Sequence, residues 1–170
     1  MNPGEQSLSV QNECAFSECR RYRYLLVRRW EPFARDRACG WICLNPSVAD
    51  ETRTDPTLIR IQHFSARWGF NTVYLANLFA FVSSDRAALK RERDPVGPDN
   101  DVYIRYVAKN VNTIFLGWGT PGNYRGRDRV VLELLKGFQL ACFSRTADGS
   151  PRHPLYLSST MCPMPFDGAT

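Results

Sequence analysis

The sequence predicts a single α/β domain built on a mostly parallel sheet. Two observations predict this class. Four apolar, strand-like runs alternate with helix-like segments, and several of those runs end in polar or glycine-containing loops. The chain has 170 residues, 44% of them hydrophobic and 23% charged, which is enough for one core and argues against disorder.

The N-terminal part predicts an arm and then an antiparallel hairpin. Residues 1–18 are polar and unpatterned, so we expect a flexible N-terminal arm and a single α/β domain over residues 19–170. Residues 19–30 mix aromatic, β-branched and arginine side chains, as edge strands do. A turn over residues 31–37 is expected to pair this edge strand with a strand over residues 38–44.

Helices and strands alternate in the rest of the chain. Asp55 followed by Pro56 is typical of a helix start, and Gly69 is typical of a helix end. The later elements are predicted as follows: a strand over 72–78, a short helix over 86–90, a helix over 99–110 with Val102, Tyr103, Tyr106 and Val107 inward, a strand over 111–116, a helix over 125–135 and a strand over 137–143.

Composition indicates which class of partner to expect and where in the cell the protein is expected. The formal charge of +5, from 22 Lys plus Arg against 17 Asp plus Glu, favours a polyanionic partner such as DNA or a nucleotide, although a merely basic surface gives the same value. No apolar run is long enough to cross a membrane, and the N-terminus lacks a signal-peptide pattern. We therefore expect a cytoplasmic protein without membrane insertion.

The six cysteines are expected to be thiols. Cys14, Cys19, Cys39 and Cys43 can in principle hold zinc or an iron–sulfur cluster, but their spacing matches no established ligand pattern. Cys39 and Cys43 also fall on one face of a predicted strand, as core residues do. The sequence therefore predicts no metal and no other cofactor.

Polar or special residues follow the carboxyl ends of the predicted strands. Asn45 and Ser47 follow one strand, Asn77 ends the next, Gly117 and Trp118 follow a third, and His153 lies in the tail. Because parallel strands share one carboxyl edge, we expect these residues to line a single cleft. The glycines beside Trp118 would let a backbone approach a ligand and leave the indole free to stack.

Structural roles are open alternatives for most of these residues. Asn45 before a proline is a common turn residue, Asn77 can cap a helix, and His153 can be an ordinary surface histidine. Asp50 and Asp55 are expected as a solvated loop residue and a helix cap before they are expected as a catalytic pair.

These motifs together resemble a known family. They are Leu44-Asn45-Pro46-Ser47-Val48-Ala49-Asp50, Asp55-Pro56-Thr57, Asn77-Leu78-Phe79-Ala80-Phe81, Asp94-Pro95-Val96-Gly97-Pro98-Asp99-Asn100-Asp101 and Arg152-His153-Pro154-Leu155-Tyr156. The chain resembles the bacterial and phage family called domain of unknown function 1643 over residues 22–157. That family name implies no activity.

The order of the motifs is more distantly similar to the uracil-DNA glycosylase superfamily. This resemblance implies a three-layer sandwich around a mostly parallel sheet and the hydrolysis of an N-glycosidic bond in DNA. It implies that Asn45 holds a water, that Asn77 reads a pyrimidine edge and that His153 donates to the departing base. The resemblance extends substrate contacts to Pro46, Ser47, Phe79, Phe81, Gly117, Trp118 and Arg152, with Phe79, Phe81 or Trp118 as the stacking ring.

The chain departs from that superfamily in its proton acceptor. An asparagine is not a base, so Asp50 or Asp55 would have to accept the proton from the attacking water. The resemblance therefore implies a glycosylase acting on a pyrimidine or modified pyrimidine in DNA, in base repair or modified-base processing. Two alternatives stay open: a non-catalytic module that binds nucleic acid or nucleotide, and an enzyme that acts on free nucleotides or nucleosides.

Overall fold

A seven-stranded mixed sheet organises the protein, in the order β1-β2-β4-β3-β5-β6-β7. The structure is a computed structural model, and it describes residues 12–31, 35–50 and 52–167. The strands are β1 Glu13–Phe16, β2 Arg23–Arg29, β3 Ala38–Cys43, β4 Thr72–Asn77, β5 Ile114–Gly117, β6 Leu140–Cys142 and β7 Met164–Pro165. The helices are α1 Pro56–Arg67, α2 Arg86–Arg91, α3 Asn100–Asn110 and α4 Arg127–Leu134, with 3-10 segments at Thr120–Gly126 and Pro154–Tyr156.

The predicted α/β class is confirmed, but the sheet is mixed rather than mostly parallel. Strands β4, β3, β5 and β6 pair in parallel, whereas the β1-β2, β2-β4 and β6-β7 pairs are antiparallel. The predicted hairpin between β2 and β3 is wrong, because β4 lies between them. A long-range pairing replaces the local one, and the local sequence does not encode that choice.

The N-terminal segment contributes to the sheet. Residues 13–16, inside the segment for which we expected a flexible arm, form β1 and pair with β2. Strand β2 is therefore not the edge strand that its arginines suggested, and Arg23 and Arg28 are buried. Residues 1–11 lie outside the described residues.

Two apolar clusters cover the two faces of the sheet. One includes α1 through the fully buried Leu58, Ile61 and Phe64. The other includes α3 and α4, and neighbouring β3 residues such as Trp41 and Ile42 divide between the clusters, as alternation along a strand requires. Burial of each large side chain contributes about 1.5–3 kcal/mol, so these clusters fix the sheet between its helices.

Helix α1 begins as predicted. The Asp55 carboxylate accepts from the Leu58 backbone N–H at 2.8 Å, and Pro56 takes the first helical position. The expected inward face of α3 is partly wrong, since Val102 and Tyr106 are 66% and 47% exposed. The buried face of α3 includes the polar Asn100. This face is therefore rotated away from the face that the apolar residues predicted.

The six cysteines are free thiols, and Cys39 and Cys43 are buried in the cluster with α1. Within the described residues, no group of three or more His, Cys, Asp or Glu side chains lies close enough to hold a metal ion. No helix in the described part of the chain is both long and apolar enough to cross a membrane.

Candidate functional site

A cavity of about 640 Å³ opens at the carboxyl ends of β3, β4 and β5. Its volume suits a small organic ligand. The cavity brings together seven residues that the sequence predicted, and they are Asn45, Ser47, Asp55, Asn77, Trp118, Arg152 and His153. The other predicted site residues are not among its lining residues, and they are Pro46, Asp50, Phe79, Phe81 and Gly117.

Asn45 lies in the loop that leaves β3, and its side-chain orientation is fixed. Its Nδ2 donates to the Ser83 carbonyl at 2.7 Å and to the Pro46 carbonyl at 3.2 Å. Both amide hydrogens are therefore used within the fold, and Oδ1 is the atom that Asn45 can offer to a ligand or water. An aspartate here would face two carbonyl oxygens, so the loop specifies an amide.

Ser47 and Asp55 form a hydrogen-bonded pair at the start of α1. The Ser47 hydroxyl donates to one carboxylate oxygen of Asp55, and the other oxygen caps the helix. Asp55 is only 8% exposed. Although it lines the cavity, both of its oxygens have partners, which favours the capping role over that of a proton acceptor.

Asp50 stabilises its own loop. Its Oδ1 accepts from the backbone N–H groups of Thr52 and Arg53 at 2.9 and 2.8 Å. These hydrogen bonds hold the pKa of Asp50 below its usual range. A carboxylate with a lowered pKa is a weaker base, and Asp50 does not line the cavity, so a general-base role has no geometric support.

Asn77 lies at the end of β4 and is 2% exposed. Its Oδ1 accepts from the Arg23 guanidinium at 3.4 Å, and its backbone carbonyl accepts from Asn100 Nδ2 at 3.0 Å. Asn100 also donates to the Leu78 carbonyl at 3.0 Å, so α3 fixes the end of β4. The amide donors on Nδ2 are what Asn77 can offer a ligand.

The segment that carries His153 packs on the end of β5. The Gly119 N–H donates to the Pro151 carbonyl at 2.8 Å, and a Cβ on Gly117 would lie 2.9 Å from Pro154 Cδ. Gly117 thus permits close packing of this segment. His153 Nδ1 accepts from the Leu155 N–H at 3.3 Å, so the proton of a neutral ring resides on Nε2, which can donate to a ligand.

The aromatic residues named from the sequence are mostly core residues. Trp118 lines the cavity but is 2% exposed, and Gly122 packs on its indole. Phe79 is fully buried beside Tyr124, and the Phe81 ring packs against Tyr22. Trp118 and Phe79 therefore have no ring face open for stacking, and Phe81 is not among the residues that line the cavity.

Tyr156 is the aromatic ring that the sequence reading missed. It lines the cavity, is 60% exposed, and its ring centroid lies 5.9 Å from that of His153. Arg152 is exposed on the same segment. A sequence signal for Tyr156 was present, because it lies three residues after His153 in the same motif.

Arg23, the first residue of β2, is the other missed residue. Because β2 is antiparallel to β4, it begins at the edge where the parallel strands end. The β1-β2 register passes from Ala15–Leu25 to Phe16–Arg23, which leaves Tyr24 as a bulge. The bulge places Arg23 on the cavity side of the sheet, where it donates to the Ala49 carbonyl at 2.5 Å.

Fold and cavity define an α/β protein with a ligand-sized cavity at the carboxyl edge of its parallel strands. A family model described as "Protein of unknown function (DUF1643)" matches residues 23–155, most of the chain, so the protein belongs to the DUF1643 family. The matched range begins at Arg23 and includes Asn45, Asn77 and His153. Searches of curated proteins and of solved structures find no match.

Proposed function

We propose that the carboxyl-edge cavity recognises a nucleobase and that the protein hydrolyses the N-glycosidic bond of a pyrimidine or modified pyrimidine in DNA. One observation carries the proposal: Asn45, Asn77 and His153, far apart in sequence, line the same cavity. A three-layer sandwich like that of uracil-DNA glycosylases is part of the proposal, supported by helices on both faces of the sheet.

The chemistry assigns a different contact to each side chain. Asn45 Oδ1 accepts from a water and directs it at the sugar C1′. Asn77 Nδ2 donates to a base oxygen, and His153 Nε2–H donates to a carbonyl that gains negative charge. As water oxygen bonds to C1′, the C1′–N bond breaks and its electron pair leaves with the base. The proton released by the water ends on that base.

Tyr156 replaces the predicted aromatic residues as the stacking ring. Its exposed ring at the mouth of the cavity suits a base, flipped from a duplex or presented by a single strand. Arg152 lies on the same side and suits the adjoining phosphates.

The acid–base requirement favours one alternative for a specific reason. Asp55, the acidic residue of the cavity lining, is committed to Ser47 and to the start of α1. This arrangement favours a second candidate function, a module that binds nucleobases, nucleotides or DNA without cleavage, over the third, an enzyme acting on free nucleotides.

The experiment is a base-release assay on oligonucleotides that contain uracil, hydroxymethyluracil or other modified bases, with abasic-site cleavage as readout. We expect release of at least one base and a loss of about 10²–10³-fold in His153→Ala. His63, exposed on α1 and not among the cavity residues, provides the matched control His63→Ala, which should retain the activity.

The outcomes separate the candidates. Base-dependent binding without release supports the non-catalytic module, and turnover of mononucleotides alone supports the third function. Absence of release, of base-dependent binding and of mononucleotide turnover contradicts the proposal. Equal losses in His63→Ala and His153→Ala contradict the assigned role of His153.

A further inference from the structure

We propose that Arg23 forms an oxyanion-binding site at the floor of the carboxyl-edge cavity, so the ligand presents a phosphate, a carboxylate or the anionic oxygen edge of a base there. This inference rests on the proposed ligand cavity but not on hydrolysis. It narrows the ligand to one whose buried end carries negative charge.

Arg23 is buried with few hydrogen-bond partners. It is 3% exposed, and its guanidinium donates to the Ala49 carbonyl and to Asn77 Oδ1 at 2.5 and 3.4 Å. Among the described residues, its Nε has no hydrogen-bond partner and no carboxylate lies within ion-pair distance. A guanidinium has five N–H donors, so most of its capacity is unused.

The buried charge of Arg23 lacks the compensation that another buried arginine in the same fold receives. Burial of a cation costs several kcal/mol unless an anion or a full set of hydrogen bonds compensates it. Arg127, 5% exposed, receives this compensation from Asp101 and from the Leu78 carbonyl. Arg23 has no such partner in the fold, and a ligand oxyanion would supply it.

The surroundings of Arg23 favour an acceptor over a donor. Asn77 accepts from Arg23 through Oδ1, so it presents donors on Nδ2. Asp55, the acidic lining residue, is held by Ser47 and by the N–H of Leu58. Arg152 adds a second positive charge to the lining. Two arginines face one carboxylate, that of Asp55, so the lining is net positive and its free donors complement an oxyanion.

The competing explanation is that Arg23 only anchors the loop after β3. Arg28 provides the matched comparison, because it is 4% exposed, lies on the same strand and donates to the Asp50 and Arg53 carbonyls of the same loop. Arg28 is not among the residues that line the cavity. Loop anchoring alone predicts similar effects for the two arginines, whereas an anion site predicts different ones.

The test is isothermal titration calorimetry with inorganic phosphate, with uracil and with orotate, a uracil that carries a carboxylate. The wild-type protein, Arg23→Gln and Arg28→Gln are compared after circular dichroism has established that each is folded. We expect wild type to bind phosphate or to bind orotate more tightly than uracil. Arg23→Gln should weaken this binding about 10–100-fold and Arg28→Gln less than about threefold.

The probes also identify the source of the charge. Binding of phosphate without a preference for orotate assigns the site to a phosphoryl group, and a preference for orotate over uracil assigns it to an anionic base. If Arg23→Gln does not fold, Arg23→Lys replaces it and should weaken binding about threefold to tenfold, because the charge remains but the planar fork is lost; unchanged binding in Arg23→Lys overturns the inference.

The inference is overturned if wild type binds neither phosphate nor orotate, if Arg23→Gln binds as wild type does, or if both glutamine variants lose binding equally. These failures differ from failure of the proposed function. A negative base-release assay with anion binding intact removes hydrolysis alone, and base release without anion binding removes the role of Arg23 alone.

Discussion

The two edges of the sheet both carry cavities, and the larger one has the weaker claim to function. A cavity of about 880 Å³ lies at the amino ends of β3, β4 and β5, against about 640 Å³ at the carboxyl ends. At the amino edge, Asn71 accepts from the Arg37 N–H at 2.8 Å and donates to the Arg35 carbonyl at 3.0 Å. Both the oxygen and the nitrogen of the Asn71 side-chain amide are therefore used in hydrogen bonds within the fold.

At the carboxyl edge, the polar groups keep unused capacity. Arg23 retains donors, and Asn45 retains its Oδ1 after both amide hydrogens are used. Buried polar groups normally find partners inside the protein, so spare capacity around a cavity points to a ligand. Between the buried Asn71 and the buried Arg23, the hydrogen bonds left open at Arg23, rather than cavity volume, mark the carboxyl-edge cavity as the candidate site.

The largest expected effect separates the two edges by stability. Asn71→Ala should lower the free energy of unfolding by about 2–3 kcal/mol, because the part-buried Arg37 N–H and Arg35 carbonyl both lose their partners. It should leave ligand binding unchanged. Asn77→Ala removes a single long hydrogen bond from Arg23, so it should lower stability by less than about 1 kcal/mol and weaken ligand binding at least about tenfold.

In both variants, urea denaturation measures the free energy of unfolding and titration calorimetry measures ligand affinity. Equal stability losses, or binding losses of the same size, would break the distinction between the edges.

A smaller effect tests the packing beneath His153. A Cβ on Gly117 would lie 2.9 Å from Pro154 Cδ, and a Cβ on Gly40 would lie 2.8 Å from Val107 Cγ1. Both Gly117→Ala and Gly40→Ala should cost about 1–3 kcal/mol through overpacking. Gly117→Ala alone should weaken binding, because it displaces the segment that carries His153. Unchanged ligand affinity in Gly117→Ala would show that this segment does not position the site.

The smallest effect concerns thiol reactivity and the depth of the cavity. Burial raises the pKa of Cys39 to about 12, and burial also raises the pKa of Cys43, which lines the cavity. A hydrogen bond from Ser17 lowers the pKa of the exposed Cys19. The thiolate is the reactive form of a cysteine. At a given pH, a thiol with a lower pKa has a larger fraction ionised than a thiol with a raised pKa.

Mass spectrometry after iodoacetamide treatment at pH 8 should therefore find Cys19 modified first, and Cys39 and Cys43 modified only after unfolding. Rapid modification of Cys43 in the folded protein would contradict the burial of its thiol.

The sequence predicted the convergence at the carboxyl edge because the required signals are local. Asn45 and Asn77 each mark the end of an apolar run, and parallel pairing brings such ends together. Asp55 and Pro56 predicted the start of α1 for an equally local reason.

Non-local features explain what the sequence reading missed. Arg23 enters the cavity through the antiparallel β2-β4 pair and a bulge at Tyr24, neither of which has a local signature. The inward face of α3 was misassigned because Asn100 is buried, with its amide donating to carbonyls at the end of β4. Phe79 was expected to stack on a ligand, but the packing of Tyr124 encloses it.

A crystal structure of the protein soaked with 2′-deoxyuridine tests the central claim most directly. Our account predicts electron density for the base or nucleoside within the carboxyl-edge cavity, in hydrogen-bond contact with Asn77 and with Asn45 or His153. Density for the nucleoside in the amino-edge cavity beside Asn71, with the carboxyl-edge cavity holding only solvent, would contradict it.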